Sequence, residues 1–176
     1  MRRFALYCLL LISAPLIAGC TGAKKPADLP ELYPVKITVI QDGQPLADAS
    51  VTLNDPTNAT RFVVGYKTDA KGVAELRTDG KFKGAPAGKY KVLISKVYVP
   101  EIDPNEVPPE DPEARKEYDA KMAELTAQQV ETVAVEYKRP TTTPAEIEVT
   151  SAGLETTIDV GEKVNVPLSE MFKSSH

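Results

Sequence analysis

Between Val35 and Val99, apolar residues fall on every second position in short runs, and each run ends in a turn-forming cluster. A period of two places alternate side chains on opposite faces of an extended chain, and a helix cannot gather such residues into one stripe. Val35, Ile37 and Val39 alternate with Lys36 and Thr38, and Ala49, Val51 and Leu53 with Ser50 and Thr52. Phe62, Val64 and Tyr66 share one face of a third run, Arg61 to Lys67, and Val73 to Arg77 reads as its return strand. Lys89 to Val99 reads as one long strand, with Tyr90, Val92 and Ile94 on one side. Asp42-Gly43 and Thr68-Asp69-Ala70-Lys71-Gly72 are turns, because Asp bonds the backbone ahead of it and Gly accepts a left-handed conformation. Asn54 to Thr60 and Asp79 to Gly88 read as loops. Short strands at this spacing predict a mainly β chain, a single β-sandwich of about seven to eight strands.

One insertion interrupts the pattern. Residues 100–112 (PEIDPNEVPPEDP) are acidic and too rich in proline for regular structure. Asp111-Pro112-Glu113 is a helix start, with Asp as cap and Pro in the first turn, and predicts a helix near 112–127. Its apolar stripe is narrow: Ala114, Tyr118, Met122 and Leu125, with Glu117 and Lys121 spaced to pair. The whole insertion spans 100–131 and suits either a solvated cover over a sheet edge or a docking arm. Strands are then expected to resume at Val133, Val135 and Tyr137, at Ala145 to Val149, and as a final hairpin, Thr156 to Val160 and Lys163 to Leu168 about Gly161-Glu162. Residues 169–176 are expected to fray.

The start of the chain follows other rules. Met1-Arg2-Arg3 is basic, Phe4 to Pro15 is almost wholly apolar, and small residues close the segment at Ala18-Gly19. This is the layout of a secretory signal, and the run is too short for a membrane span, which needs about 20 residues. Removing residues 1–19 leaves 157 residues with 19 basic and 25 acidic side chains, a mildly acidic chain with no basic patch for nucleic acid. Residues 20–34 carry three prolines and no apolar period, and read as a tether.

Two resemblances attach to these residues. Ile17-Ala18-Gly19-Cys20 resembles the lipobox of bacterial lipoproteins. The resemblance implies cleavage between Gly19 and Cys20, a lipid on Cys20, and a membrane-anchored envelope protein. With Thr21 rather than Asp behind the cysteine, it implies the outer membrane, on its periplasmic or surface face. Separately, Asp42-Gly43-Gln44-Pro45-Leu46-Ala47-Asp48-Ala49, Thr68-Asp69-Ala70-Lys71-Gly72 and Ala85-Pro86-Ala87-Gly88-Lys89-Tyr90-Lys91-Val92 resemble the carboxypeptidase regulatory-like family, as does Val135 to Val149. That resemblance implies a transthyretin-like (prealbumin-like) sandwich used as an accessory module. Ala145 departs from the family pattern, which has leucine there.

Candidate chemistry is sparse. Cys8 leaves with the signal and Cys20 takes the lipid, so no thiol remains for a disulfide, zinc or nucleophilic attack. His176, the single histidine, is the last residue and lacks a scaffold. Asp103, Asn105 and Glu106 match no calcium-loop spacing. Gly80 and Gly84 sit among lysines, but no helix start follows to hold a phosphate. Lys36, Glu75 and Asn165 suggest an isopeptide cross-link, but the alternation points Lys36 and Asn165 outward. The sequence therefore predicts no catalytic residue, cofactor or metal. It predicts a membrane partner through Cys20, a protein or glycan partner for the β domain, and no nucleic acid. The alternative reading is a lipoprotein of a multi-protein secretion or envelope complex that docks through 100–131.

Overall fold

The computed structural model describes residues 25–57, 61–101, 103 and 106–171. The signal segment with Gly19 and Cys20, together with Asn105 and His176, lies outside the described residues. Thirteen strands are present among the described residues, more than expected, because several runs are broken into shorter pieces.

The first sheet is built around β1 (Val35–Gln41). One edge of β1 pairs in parallel with β12 (Leu154–Asp159), from Val35 opposite Leu154 to Ile40 opposite Asp159. The other edge is shared by β2 (Gln44–Pro45) and β5 (Val73–Glu75), both antiparallel. The second sheet runs β11 (Glu146–Val149), β8 (Gly88–Ser95), β3 (Ser50–Asn54), β4 (Val64–Lys67), β6 (Arg77–Thr78), β7 (Phe82–Lys83). A small third sheet joins β13 (Val166–Pro167), β10 (Val130–Glu131) and β9 (Val97–Tyr98).

The alternation places the core as expected. Val35, Ile37 and Val39 of the first sheet and Val51, Leu53, Val64, Tyr90, Val92 and Ile94 of the second form one buried cluster. Fully burying a side chain of this size stabilises by about 1.5–3 kcal/mol, so this shared interior drives the fold. The core also reaches Leu29 outside that cluster, and Tyr33 pairs with Ala85, so the second half of the tether packs on the domain instead of hanging free. Among the described residues, every buried apolar side chain lies from Leu29 to Val160.

Five local expectations are corrected. Val73 to Arg77 is not one strand: β5 pairs with β1 and β6 with β4, so the chain changes sheets at the buried Leu76. Leu76 N–H bonds Val35 O (3.0 Å) and its carbonyl accepts from Gly84 N–H (2.9 Å), so both backbone groups are satisfied at the corner. Lys89 to Val99 breaks at Lys96, where β8 ends and β9 begins. The run Arg61 to Lys67 is a strand only from Val64, and Tyr66 is exposed rather than in the core, with the Arg77 guanidinium 4.6 Å from its ring. Val133 to Tyr137 is not a strand: Val133 is buried, but Val135–Lys138 forms a 3₁₀ turn that lets Tyr137 donate to Asp159 O (3.0 Å). The final hairpin is also absent. β12 closes the first sheet and β13 joins the third, because pairing with β1 buries more of β12 than a two-strand ribbon would.

The helix is where the sequence puts it. α1 (Pro112–Ala127) starts on Asp111, whose Oδ1 accepts from Glu113 N–H (3.1 Å) and Ala114 N–H (3.0 Å). Ala114, Tyr118, Met122 and Leu125 are only half-buried. The expected pair of Glu117 with Lys121 does not form, since Lys121 reaches Glu106 instead (2.7 and 3.0 Å). Asp111→Ala should quicken amide exchange in the first turn about fivefold, equivalent to about 1 kcal/mol. Unchanged exchange would show that the cap carries nothing.

Candidate functional surfaces

The motifs quoted above meet in space. Thr68 is buried; its hydroxyl donates to Leu46 O (2.6 Å) and accepts from Ala49 N–H (2.8 Å). Asp48 N–H donates to Thr68 O (3.0 Å), so the 42–49 and 68–72 segments are stitched side by side. Asp69 closes its own turn by accepting from Lys71 N–H (2.8 Å) and Val73 N–H (3.0 Å). The Val73 bond first, then the Lys71 bond, holds its carboxyl below the ordinary value. Between these turns Gly72 presses on β1: its carbonyl accepts from Val39 N–H (2.8 Å).

A second polar junction fastens the insertion to the sheets. At Lys96 the chain leaves β8 for β9, and the break strands one N–H and one carbonyl. Glu131, fully buried, accepts that N–H on Oε1 (2.7 Å) and also Val133 N–H (3.2 Å). Thr132 donates to the Lys96 carbonyl from its N–H and its hydroxyl, both at 2.9 Å. The buried Gln41, at the end of β1, donates from Nε2 to Thr132 O (2.8 Å). Glu131 Oε2 lies 2.9 Å from Lys138 Nζ, off the line of a regular hydrogen bond, so the ammonium meets it as charge. Nothing in the sequence marks Glu131 among so many exposed acids.

The sequence-predicted candidates are kept apart. Lys36 and Glu75 face solvent across β1 and β5, 3.8 Å apart, and Asn165 is exposed in another part of the fold. Glu106 is engaged by Lys121. Gly80 lies in the turn after β6, and Gly84 packs against the Tyr33 backbone. Among the described residues, no three His, Cys, Asp or Glu side chains gather as metal ligands. No described helix is long and apolar enough to cross a membrane.

Two surfaces stand out instead. On the outer face of the second sheet, Gly65 leaves a trough of about 520 Å³. Ser50, Thr52, Val63, Tyr66, Lys67 and Asp79 wall it, one base and one acid among them, and the Arg77 guanidinium lies against the Tyr66 ring. A side chain at Gly65 would fall 2.6 Å from Val51 O, so the trough is built into the backbone. The other surface is apolar and lies on the third sheet. Tyr98, Val130 and Pro167 stand opposite one another across β9, β10 and β13, with Val97 and Val99 exposed beside them. Compared with family models, with curated proteins and with solved structures, the chain matches none.

Proposed function

We propose that the chain is a non-enzymatic, lipid-anchored envelope lipoprotein whose domain is a transthyretin-like sandwich of the carboxypeptidase regulatory-like kind. The observation that carries this reading is Ile17-Ala18-Gly19-Cys20 placed directly behind a basic start and an apolar run. Burying acyl methylenes is worth about 0.8 kcal/mol each, and two or more chains give stable anchoring. The parallel closure of β12 on β1 and the stitching of the 42–49 and 68–72 segments support the module half of the reading. Leu29 is packed on the domain and Asp28 pairs with Arg61, so the span between Cys20 and the packed chain is about eight residues, a reach of at most roughly 25 Å if extended.

Cys20→Ala is expected to abolish palmitate labelling and move the protein from the membrane fraction to the soluble one. Label retained in the variant would remove the anchor from the proposal. A second reading, a component of a multi-protein export or envelope complex, is favoured by one observation. The insertion leaves the sheets at the Gln41 end of β1, about 20 Å from Val35, where the tether enters. The apolar row of Tyr98, Val130 and Pro167 lies beside that junction, which supports docking to a partner protein.

A further inference from the structure

The outer strand of a sheet is an open row of hydrogen-bonding groups, which proteins blunt with charge or proline. Among the described residues, this chain does so at every outer strand but one. β12 and β11 each carry two acids, β5 ends in Glu75, β7 ends in Lys83, and β2 and β13 each end in proline. The exception is β9, the outer strand of the third sheet. With its next residue it reads Val97-Tyr98-Val99, uncharged and 36%, 55% and 51% exposed. The neighbouring bonds show which backbone groups are open. Thr132 N–H donates to Lys96 O (2.9 Å), and Leu168 N–H to Gln129 O (3.2 Å). In an antiparallel ladder such bonds recur on every second residue, so Val130 and Thr132 turn their backbone to β9, while Gln129 and Glu131 turn theirs to β13. Tyr98, opposite Val130, therefore bonds inward, and Val97 turns its N–H and carbonyl to the open side. Val99 does the same, since the proline after it holds it extended. Lys96 has its N–H on Glu131 and its carbonyl on Thr132, and Pro100 has no N–H, so the open row is bounded at both ends.

We infer that two copies of this chain pair antiparallel through β9, about a twofold axis at Tyr98. A row of alternating donors and acceptors is complementary to itself when turned end for end, so the match needs no second kind of surface. No like charges meet across it, as they would in self-pairing of β11 or β12. The bounded row also fixes the register. Centring on Tyr98 sets Val97 opposite the partner's Val99, and Val99 opposite the partner's Val97, so each pair exchanges both of its N–H···O bonds. The two Tyr98 side chains then stand directly opposite, in the closer position without backbone bonds, on the face that holds Val130 and Pro167. Two three-stranded sheets become one, and the contact closes at a dimer. So short a strand pair falls short of the roughly 1,200 Å² of a standard interface, and its dissociation constant is set on the order of 100 µM. Confinement to a bilayer, under the anchor reading above, raises the effective concentration of the two copies. The pairing itself does not depend on Cys20.

The test uses the lipid-free chain from residue 21, which keeps every described buried apolar side chain and holds no cysteine. Sedimentation equilibrium is expected to show a monomer–dimer equilibrium that goes no further. Its constant should change less than about threefold between about 50 mM and about 500 mM salt, since no ion pair carries the contact. Val99→Pro removes an N–H that faces the open side, so it costs the monomer no internal bond; it should be monomeric with an unchanged melting temperature. Tyr98→Lys and Tyr98→Glu should each be monomeric, because like charges then meet at the axis, and an equimolar mixture of the two should form a heterodimer. Tyr98→Cys fixes the register. Residues opposite one another without backbone bonds have Cα atoms about 4.5 Å apart, within the range a disulfide spans, so this variant should oxidise to a covalent dimer. Val63→Cys, exposed on the second sheet, should not. A parent that stays monomeric up to about 1 mM, ten times the expected constant, overturns the inference and leaves the β9 edge to a strand of a different protein. A parent dimer that survives Val99→Pro, or that the Lys and Glu variants fail to rebuild when mixed, places the contact elsewhere and equally overturns it.

Discussion

Glu131→Ala lowers the free energy of unfolding by about 3–5 kcal/mol, a large part of what a domain of this size has. The carboxylate is fully buried and meets three groups: Lys96 N–H, Val133 N–H and Lys138 Nζ. Truncation leaves two backbone donors and an ammonium that is itself only 28% exposed. Each buried donor without a partner costs about 1–3 kcal/mol. Lys138→Met is expected to be as damaging, because it leaves the carboxylate charge in the interior without its cation. Glu131→Ala combined with Lys138→Met should cost clearly less than the two single changes added together, since neither charge is then stranded. Urea titrations of the four proteins measure this directly. A Glu131→Ala protein within about 0.5 kcal/mol of the parent would mean that the junction at Lys96 is not what holds the insertion in place.

Gly72→Ala comes next, with an expected loss of about 3–4 kcal/mol. Gly43 is its internal control. Both glycines are left-handed, with φ of +71° at Gly43 and +73° at Gly72, so both pay about 1–2 kcal/mol for a side chain in that conformation. Only Gly72 is crowded: an added Cβ would sit 2.6 Å from Val39 O and 3.0 Å from Leu46 N, whereas Gly43 has nothing within 4 Å. At Gly72 the turn must therefore back away from β1 and weaken the Val39 N–H bond to its carbonyl. Equal losses at the two sites would show that the close approach carries no weight. The same turn titrates. Asp69 has a lowered folded pKa, so its contribution is full above the ordinary carboxylate value of about 4 and disappears as pH falls through the lower folded value. Asp69→Asn should flatten that acid limb of the stability curve and leave the neutral region little changed in slope.

Much of the β core was legible in advance because its signal is local. Val35, Ile37 and Val39, or Tyr90, Val92 and Ile94, announce an inward face by spacing alone, and all six are buried. Asp111-Pro112 announced the start of α1 for an equally local reason, since a cap acts within one turn. The failures share a cause. Val133, Val135 and Tyr137 alternate as a strand should, yet a strand also needs a neighbour with free hydrogen-bonding groups. The chain there turns instead, to place Lys138 beside Glu131 and Tyr137 beside Asp159. Lys121 chose Glu106, fifteen residues away, over Glu117 on its own helix because the proline-rich segment folds back against α1.

Period, turn chemistry and capping were set by the order of residues: a mainly β chain, an interrupted pattern at 100–131, and a cysteine behind an apolar run. Which strands became partners was decided only in three dimensions. Leu76 carries the chain from one sheet to the other, β12 runs parallel to β1 from the far end of the sequence, and Glu131 satisfies a break at Lys96. Such pairings repay the entropy of closing long loops only once the shared core exists, and no short window of sequence contains that gain.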